Sequence, residues 1–348
     1  MLPRERVMEA VNHCWSDRMP ADFQSLPAVT QRLMARLGLA EEEELLQHLG
    51  IDMRRVWFAY EQPIDESQVD ANGYVHNIWG LSFRPGLSIE EPENVIRPFT
   101  EESSVDEVYA HPWPSADDVD YSGIFSQCER YYDTYATYGG AWSPFFHEIG
   151  WLIGQENQLI WMSTRPDLLE AITECVVNFE LEVSRRFLEA CRGKLDIMYI
   201  GNDFGTQRGL YFSPAHYQRF IRPWIKKYFD LAHDYGCKVM QHSCGSVRDL
   251  IPWFIEDGVD ILNPIQVRAA GMGLESLVAD FGSKLAFHGG VDTQHTLPFG
   301  SVQEVREQVL GYRALTREHG GYILCPSQEF MADIPDDNIL AMYEAPRE

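Results

Sequence analysis

His242 and Cys244 are the sharpest chemical constellation in this 348-residue chain. They lie in the run Lys238-Val-Met-Gln-His-Ser-Cys244, which reads as a strand. A two-residue spacing puts both side chains on one face of a strand. At a strand's end that face can open into a cavity. Imidazole with thiolate is a donor pair that favours zinc. A third donor, Cys325, ends another apolar run, Tyr322-Ile-Leu-Cys325. His242, Cys244 and Cys325 together would leave one zinc position open, as catalysis requires. The alternative reading is two small buried thiols and a hydrogen-bonded core histidine.

Other polar residues also stand where apolar runs end. Asp203 sits in Gly201-Asn-Asp-Phe-Gly-Thr-Gln207, whose glycines allow a tight turn and a close ligand approach. It is assigned to catalysis: it binds a substrate hydroxyl or amine, supplies a fourth metal ligand, or merely caps the following turn. His288, before Gly289-Gly290, is the second catalytic candidate, with a core imidazole as the alternative. Asn202, Gln207 and Gln328 are expected to contact substrate. Arg55 would anchor a carboxylate if it points inward, or lie on the surface. His147 and Glu148 follow Ser143-Pro144 at a helix start, where capping is the default.

These residues need elements to position them. From Leu195 onward five short apolar runs each precede a helix: Leu195–Ile200, Lys238–Cys244, Asp260–Asn263, Leu285–His288 and Tyr322–Cys325. Such runs suit buried parallel strands. Candidate strands at Met19–Phe23, Met53–Tyr60 and Asp133–Trp142 bring the number to eight. The first half also predicts helices at Pro3–Trp15, Phe145–Met162 and Pro166–Cys191. Eight strands alternating with helices predict an α/β fold, a (β/α)8 TIM barrel with an N-terminal helical extension. Residues 61–125, rich in Pro, Gly and acid, read as an elaborated insertion within one domain spanning 1–348. In a barrel the reactive groups gather where strands end.

Composition narrows the partners. With 28 Lys+Arg against 53 Asp+Glu, the formal charge is −25. That excludes nucleic acid, whose phosphates need cations, and disfavours anionic lipid. No apolar run approaches the roughly 20 residues of a membrane span. Seven scattered cysteines and the absence of an apolar leader predict a reducing cytoplasm.

Several runs together carry a resemblance. They are Arg4-Glu-Arg-Val with Asp17-Arg-Met-Pro20; Gly201-Asn-Asp-Phe-Gly-Thr-Gln207; His242-Ser-Cys-Gly245; Asp260-Ile-Leu-Asn-Pro-Ile-Gln266; Gly289-Gly-Val-Asp-Thr-Gln294; and Tyr322-Ile-Leu-Cys-Pro-Ser327. On these the chain resembles the uroporphyrinogen decarboxylase superfamily, over nearly its whole length. The resemblance implies the (β/α)8 barrel. Decarboxylases of the family hold their polycarboxylate substrate with an arginine-rich stretch near the first strand. Here that stretch reads Arg18-Met-Pro-Ala-Asp-Phe23, with Asp22 where cations are wanted. The H-x-C pair is closer to the corrinoid-linked zinc methyltransferases. The resemblance therefore implies zinc at His242 and Cys244, and a methyl group passed between a small-molecule donor or acceptor and a corrinoid. The family's late cysteine falls at Gln328, so Cys325 substitutes for it, or another residue such as Glu329 does, or zinc is lost. The chain has no Asp-x-His-x-x-Gly cobalt-ligating motif, so the corrinoid would come on a separate partner protein. A homodimer is compatible with this reading. The alternative is a metal-free decarboxylase of a small or tetrapyrrole acid.

Overall fold

The computed structural model describes residues 1–347 except 61–65, 68, 88–90, 92–93, 143–144 and 319. Seven strands form one parallel sheet: β1 (Met53–Val56), then β5 to β10 in order. These are Ala136–Trp142, Ile197–Gly201, Lys238–His242, Ile261–Asn263, Ala286–His288 and Tyr322–Ile323. Strands β2 (Val75–His76), β3 (Ser82–Phe83) and β4 (Val95–Ile96) form a separate antiparallel sheet.

Residues 20–25 close the parallel sheet on itself. The Leu324 N–H donates to the Pro20 carbonyl at 2.8 Å, and Asp22 N–H to Leu324 at 2.9 Å. On the other edge Asp52 N–H donates to the Ala21 carbonyl at 2.8 Å. Isolated parallel bridges at Ala21/Leu324 and Ser25/Phe330 mark the same stave. Pro20 lacks an N–H, which keeps this stave too sparsely bonded to count as a strand. The fold is the expected (β/α)8 barrel, with helices preceding its first full strand.

Alternation along the strands fills the interior. Met53, Ala136, Tyr138, Ile197, Tyr199, Met240, Ile261, Ala286 and Ile323 form one buried cluster. Val7 and Val11 belong to the same cluster, so the helix Pro3–Val11 plugs the barrel floor. Two arginines of that helix lock it there. Arg4 donates to Asp196 from Nε at 3.0 Å and Nη2 at 2.8 Å. Arg6 reaches Asp17 at 2.7 Å and buried Asp52 at 2.5 Å. The hydrogen bond from Arg6 outweighs the effect of burial and lowers the Asp17 carboxyl from 3.8 to about 2. A depressed carboxyl stabilises the fold above its ordinary pKa, and this is lost as pH falls from about 4 toward 2. Asp17→Asn should therefore flatten the acid limb of stability in that window. Urea unfolding midpoints of both proteins between pH 5 and pH 2 check it. Equal slopes would contradict the role given to Asp17.

Part of the insertion packs outward on the helix Pro166–Cys191. Trp79, fully buried, meets Phe179 edge-on with ring centroids 5.2 Å apart. One expected helix, Phe145–Met162, is two: Phe145–Ile153 and Gln155–Thr164. Gly154 breaks it with φ +88°, a conformation that disfavours any side chain. The helix after β6 contains a π turn at Tyr217–Ile221 before Arg222–Asp234. Pro223 cannot donate its backbone bond there. The expected cap Ser143-Pro144 lies outside the described residues. All seven cysteines are free. Among the described residues, no helix is long and apolar enough to cross a membrane.

Candidate active site at the barrel mouth

The last inward residues of the strands meet at the barrel's C-terminal end. Gly201, His242 and Asn263 are in register across β6, β7 and β8. Above them Trp142, at the end of β5, takes φ +62°. That is an uncommon backbone state for a bulky residue, and such strain concentrates at functional sites. Its indole lies against His242, with ring centroids 5.0 Å apart, and against Tyr199 at 4.9 Å. Position 201 has to be glycine, because a Cβ there would stand 2.2 Å from the Trp142 ring.

The loops after β6 and β7 cross at two further glycines. A Cβ on Gly245, whose φ is +79°, would sit 2.4 Å from the Gly205 carbonyl. One on Gly205 would meet Ser246 N at 2.8 Å. This crossing brings Asp203 to Cys244, whose backbone N–H donates to Asp203 Oδ1 at 2.7 Å. Gly245→Ala should lower stability by about 1–3 kcal/mol, the usual cost of a strained backbone site. A urea midpoint unchanged from the parent would contradict the crossing as a constraint.

Two groups of metal-capable side chains result. Asp203, His242 and Cys244 form the first, at the open mouth, and Asp22, His288 and Cys325 the second, fully buried. Cys325 thus stands with Asp22 and His288, and Asp203 completes the set around His242 and Cys244. His242 Nε2 lies 3.3 Å from Asp203 Oδ1 and 3.5 Å from Cys244 Sγ. Tetrahedral zinc, with bonds of about 2.0–2.1 Å to N and O and 2.3 Å to S, has edges of about 3.3 Å (N···O) and 3.6 Å (N···S). Both distances from His242 match zinc's edges, and all three donor atoms lie within 4.8 Å of one another, so the residues present fit the metal.

Hydrogen bonds orient these donors. His242 Nδ1 lies 2.7 Å from Asn263 Oδ1, which leaves Nε2 facing Asp203 and Cys244. Tyr199 donates to the same Asn263 oxygen at 2.9 Å. The Asn263 amide nitrogen donates to His288 Nδ1 at 2.6 Å, and His288 Nε2 faces Asp22 at 3.0 Å. Both His288 nitrogens therefore have protein partners, whereas His242 presents one to the mouth. Burial opposes charge on His242, but Tyr199, Asp203 and Cys244 outweigh it and hold its pKa well above the ordinary 6.5. Burial likewise opposes charge on Asp203, yet His242 holds that carboxyl well below 3.8. A metal would take the place of the Nε2 proton. Burial, reinforced by Asp22, pushes the Cys325 thiol far up, so it stays protonated.

The remaining candidates spread around the mouth. Asn202 is fully buried, and its amide oxygen accepts from Phe146 N–H, fixing the start of the helix Phe145–Ile153. Gln207, on the rim, donates to Gln266 at 3.4 Å, and Gln266 in turn accepts from Gly245 N–H. Gln328 Nε2 approaches Cys244 Sγ at 3.7 Å. Arg55 stacks over Trp57 at 4.0 Å and lines a cavity of about 490 Å³ that also holds Asp22, Glu42, Glu43 and Glu329. His147 Nε2 lies 3.8 Å from Asp203 Oδ2, which makes it a site neighbour rather than a helix cap. Asn263 is readable from the sequence as a polar residue at a strand end, and His147 as a residue at a helix start, though its place beside Asp203 is not. Sequence reasoning passed over Trp142 and Tyr199. Tyr199 was findable, since it occupies an inward strand position, whereas Trp142 carries no such signal.

The barrel and its strand-end polar cluster define a (β/α)8 enzyme. The chain belongs to the uroporphyrinogen decarboxylase family: the family model "Uroporphyrinogen decarboxylase (URO-D)" matches residues 59–348. Among solved structures, a methyltransferase from Methanosarcina mazei is similar over 100% of this chain and 98% of its own. Its TM-score is 0.64 at 17% sequence identity, a likeness of fold. None of the curated proteins matches the chain.

Proposed function

We propose that the protein is a zinc-dependent methyltransferase that passes a methyl group between a small molecule and a corrinoid on a separate protein. One observation carries the reading: at an open barrel mouth, His242 stands at zinc-ligand distances from both Asp203 and Cys244. The methyltransferase name of the Methanosarcina mazei neighbour supports it. Bound there, zinc would act as a Lewis acid on a methylated oxygen or nitrogen, or hold a thiol acceptor as thiolate.

The chain's own residues supply the rest. Asn263 and Tyr199 hold the His242 ring in one orientation. Trp142 covers that ring from one side, which limits water. His147, beside the second Asp203 oxygen, offers a ring nitrogen to the atom that loses or gains methyl. Gln328 stands over Cys244 as a substrate contact, with Gln207 and Arg55 at the rim. The partner docks over the mouth in a cytoplasmic complex.

The test is the cobalt spectrum of a reduced corrinoid protein from the same source. With this protein and a methoxylated or N-methylated compound, Co(I) should convert to methyl-Co(III). With a thiol, methyl-Co(III) should revert. A metal-free decarboxylase is the second reading, favoured by the buried Asp22–His288 hydrogen bond, which pairs a carboxylate with an imidazole inside the barrel. Release of carbon dioxide from a porphyrinogen, unaffected by Cys244→Ser, would establish it and remove the first.

A further inference from the structure

Arg97 belongs to the insertion and follows β4. It lines a cavity of about 510 Å³ with Phe146, His147, Gly150, Trp151, Gln155 and Gln158. Among the described residues, no acid lines this cavity. Arg97 Nε is buried without a hydrogen-bond partner, and no carboxylate offsets the guanidinium's burial, which lowers its pKa. In a chain of charge −25 that is an unusual cation. Most other buried or half-buried arginines are paired: Arg6 with Asp17, Arg18 with Asp52, Arg54 with Glu43. Arg55 also has no acid partner among the described residues, but its cavity is crowded with carboxylates that would repel an anion. Even a partly desolvated cation with no counter-charge is costly unless a ligand supplies one.

The position of the cavity says which ligand. His147 lines it and stands 3.8 Å from Asp203, so this one side chain borders both the cavity and the mouth. Two of its lining side chains, Phe146 and Trp151, are aromatic. Its volume suits a molecule of one ring and a few substituents. We propose that Arg97 is the anion-binding element of a substrate subsite, taking a carboxylate carried on a small aromatic frame that lies against Phe146 and Trp151. This deepens the methyltransferase reading and rests on it only for the word substrate. The insertion thereby sets specificity: the acid end is held at Arg97, and the rest of the molecule extends past His147 toward Asp203. A planar guanidinium suits a carboxylate because it can donate two parallel hydrogen bonds.

Calorimetric titration with benzoate, on metal-free protein and without any corrinoid, tests the subsite apart from methyl transfer. Benzoate should bind saturably at millimolar concentration or below, and more weakly as salt rises. Arg97→Gln should weaken it about tenfold or more, the usual loss of a charged hydrogen-bond partner. Arg97→Lys should restore part of the affinity. Benzyl alcohol, the neutral analogue, should bind the parent and Arg97→Gln alike, which shows that the variant's cavity is intact. Absence of saturable benzoate binding, or equal benzoate affinity in the parent and Arg97→Gln, would overturn the proposal.

Discussion

His242→Ala should abolish stoichiometric zinc binding while the barrel stays folded. His242 supplies the only nitrogen in the donor set and stands central to it, 3.3 Å from Asp203 and 3.5 Å from Cys244. Its loss leaves a carboxylate and a thiol, too few donors for a tetrahedral ion. Zinc affinity should fall by more than about 100-fold, beyond the 10–100-fold typical of losing a partner that only orients a ligand. Asn263→Ala should fall inside that smaller range, because it frees the His242 ring without removing it. The barrel's apolar interior is built from Met53, Ala136, Ile197, Met240 and their neighbours, none of which is changed. Both metal-free variants should therefore still unfold in one cooperative thermal transition. Competition with a chromophoric chelator gives the affinities. Unchanged affinity in His242→Ala would contradict the site.

Asp52→Ala should be the most damaging single change to stability. Asp52 is fully buried, yet three elements converge on it. Arg6 reaches it from the floor helix at 2.5 Å. Arg18 donates to both its oxygens at 2.8 Å. The Ala21 N–H donates at 2.9 Å from the stave that closes the barrel. Removing the carboxylate leaves the buried Arg6 guanidinium with only half-exposed Asp17 as acid partner. Breaking one side of a buried ion pair typically costs about 3–5 kcal/mol. Urea denaturation should show a loss of that size. A loss below about 1 kcal/mol would mean that the network does not hold the closing stave.

Much of the barrel was legible because parallel strands buried on both faces are compact apolar runs, and each helix begins or ends on a readable signal. Pro166–Cys191 is a helix at the expected bounds. The three-strand sheet at residues 75–96 was not legible. Its strands are two residues each, too short for alternation to register. The Arg4-to-Val7 and Asp17-to-Pro20 motifs were visible, but what they do was not. Their partners, Asp196 and Asp52, stand immediately before two distant strands.

The site was half legible. His242 and Cys244 are close because they share a strand end, and two-residue spacing conveys that. The grouping of the third donor is a tertiary fact. Asp203 reaches Cys244 only through the backbone crossing of Gly205 and Gly245. Cys325 turns toward Asp22, a residue more than 300 positions earlier, because the first stave closes against the last strand.

X-ray absorption at the zinc edge of the loaded protein tests the ligand set most directly. The account predicts one sulfur at about 2.3 Å, with nitrogen and oxygen completing the shell near 2.0–2.1 Å. The sulfur signal should vanish in Cys244→Ser and persist in Cys325→Ser. Two sulfurs in the shell, or a sulfur signal lost in Cys325→Ser, would contradict it.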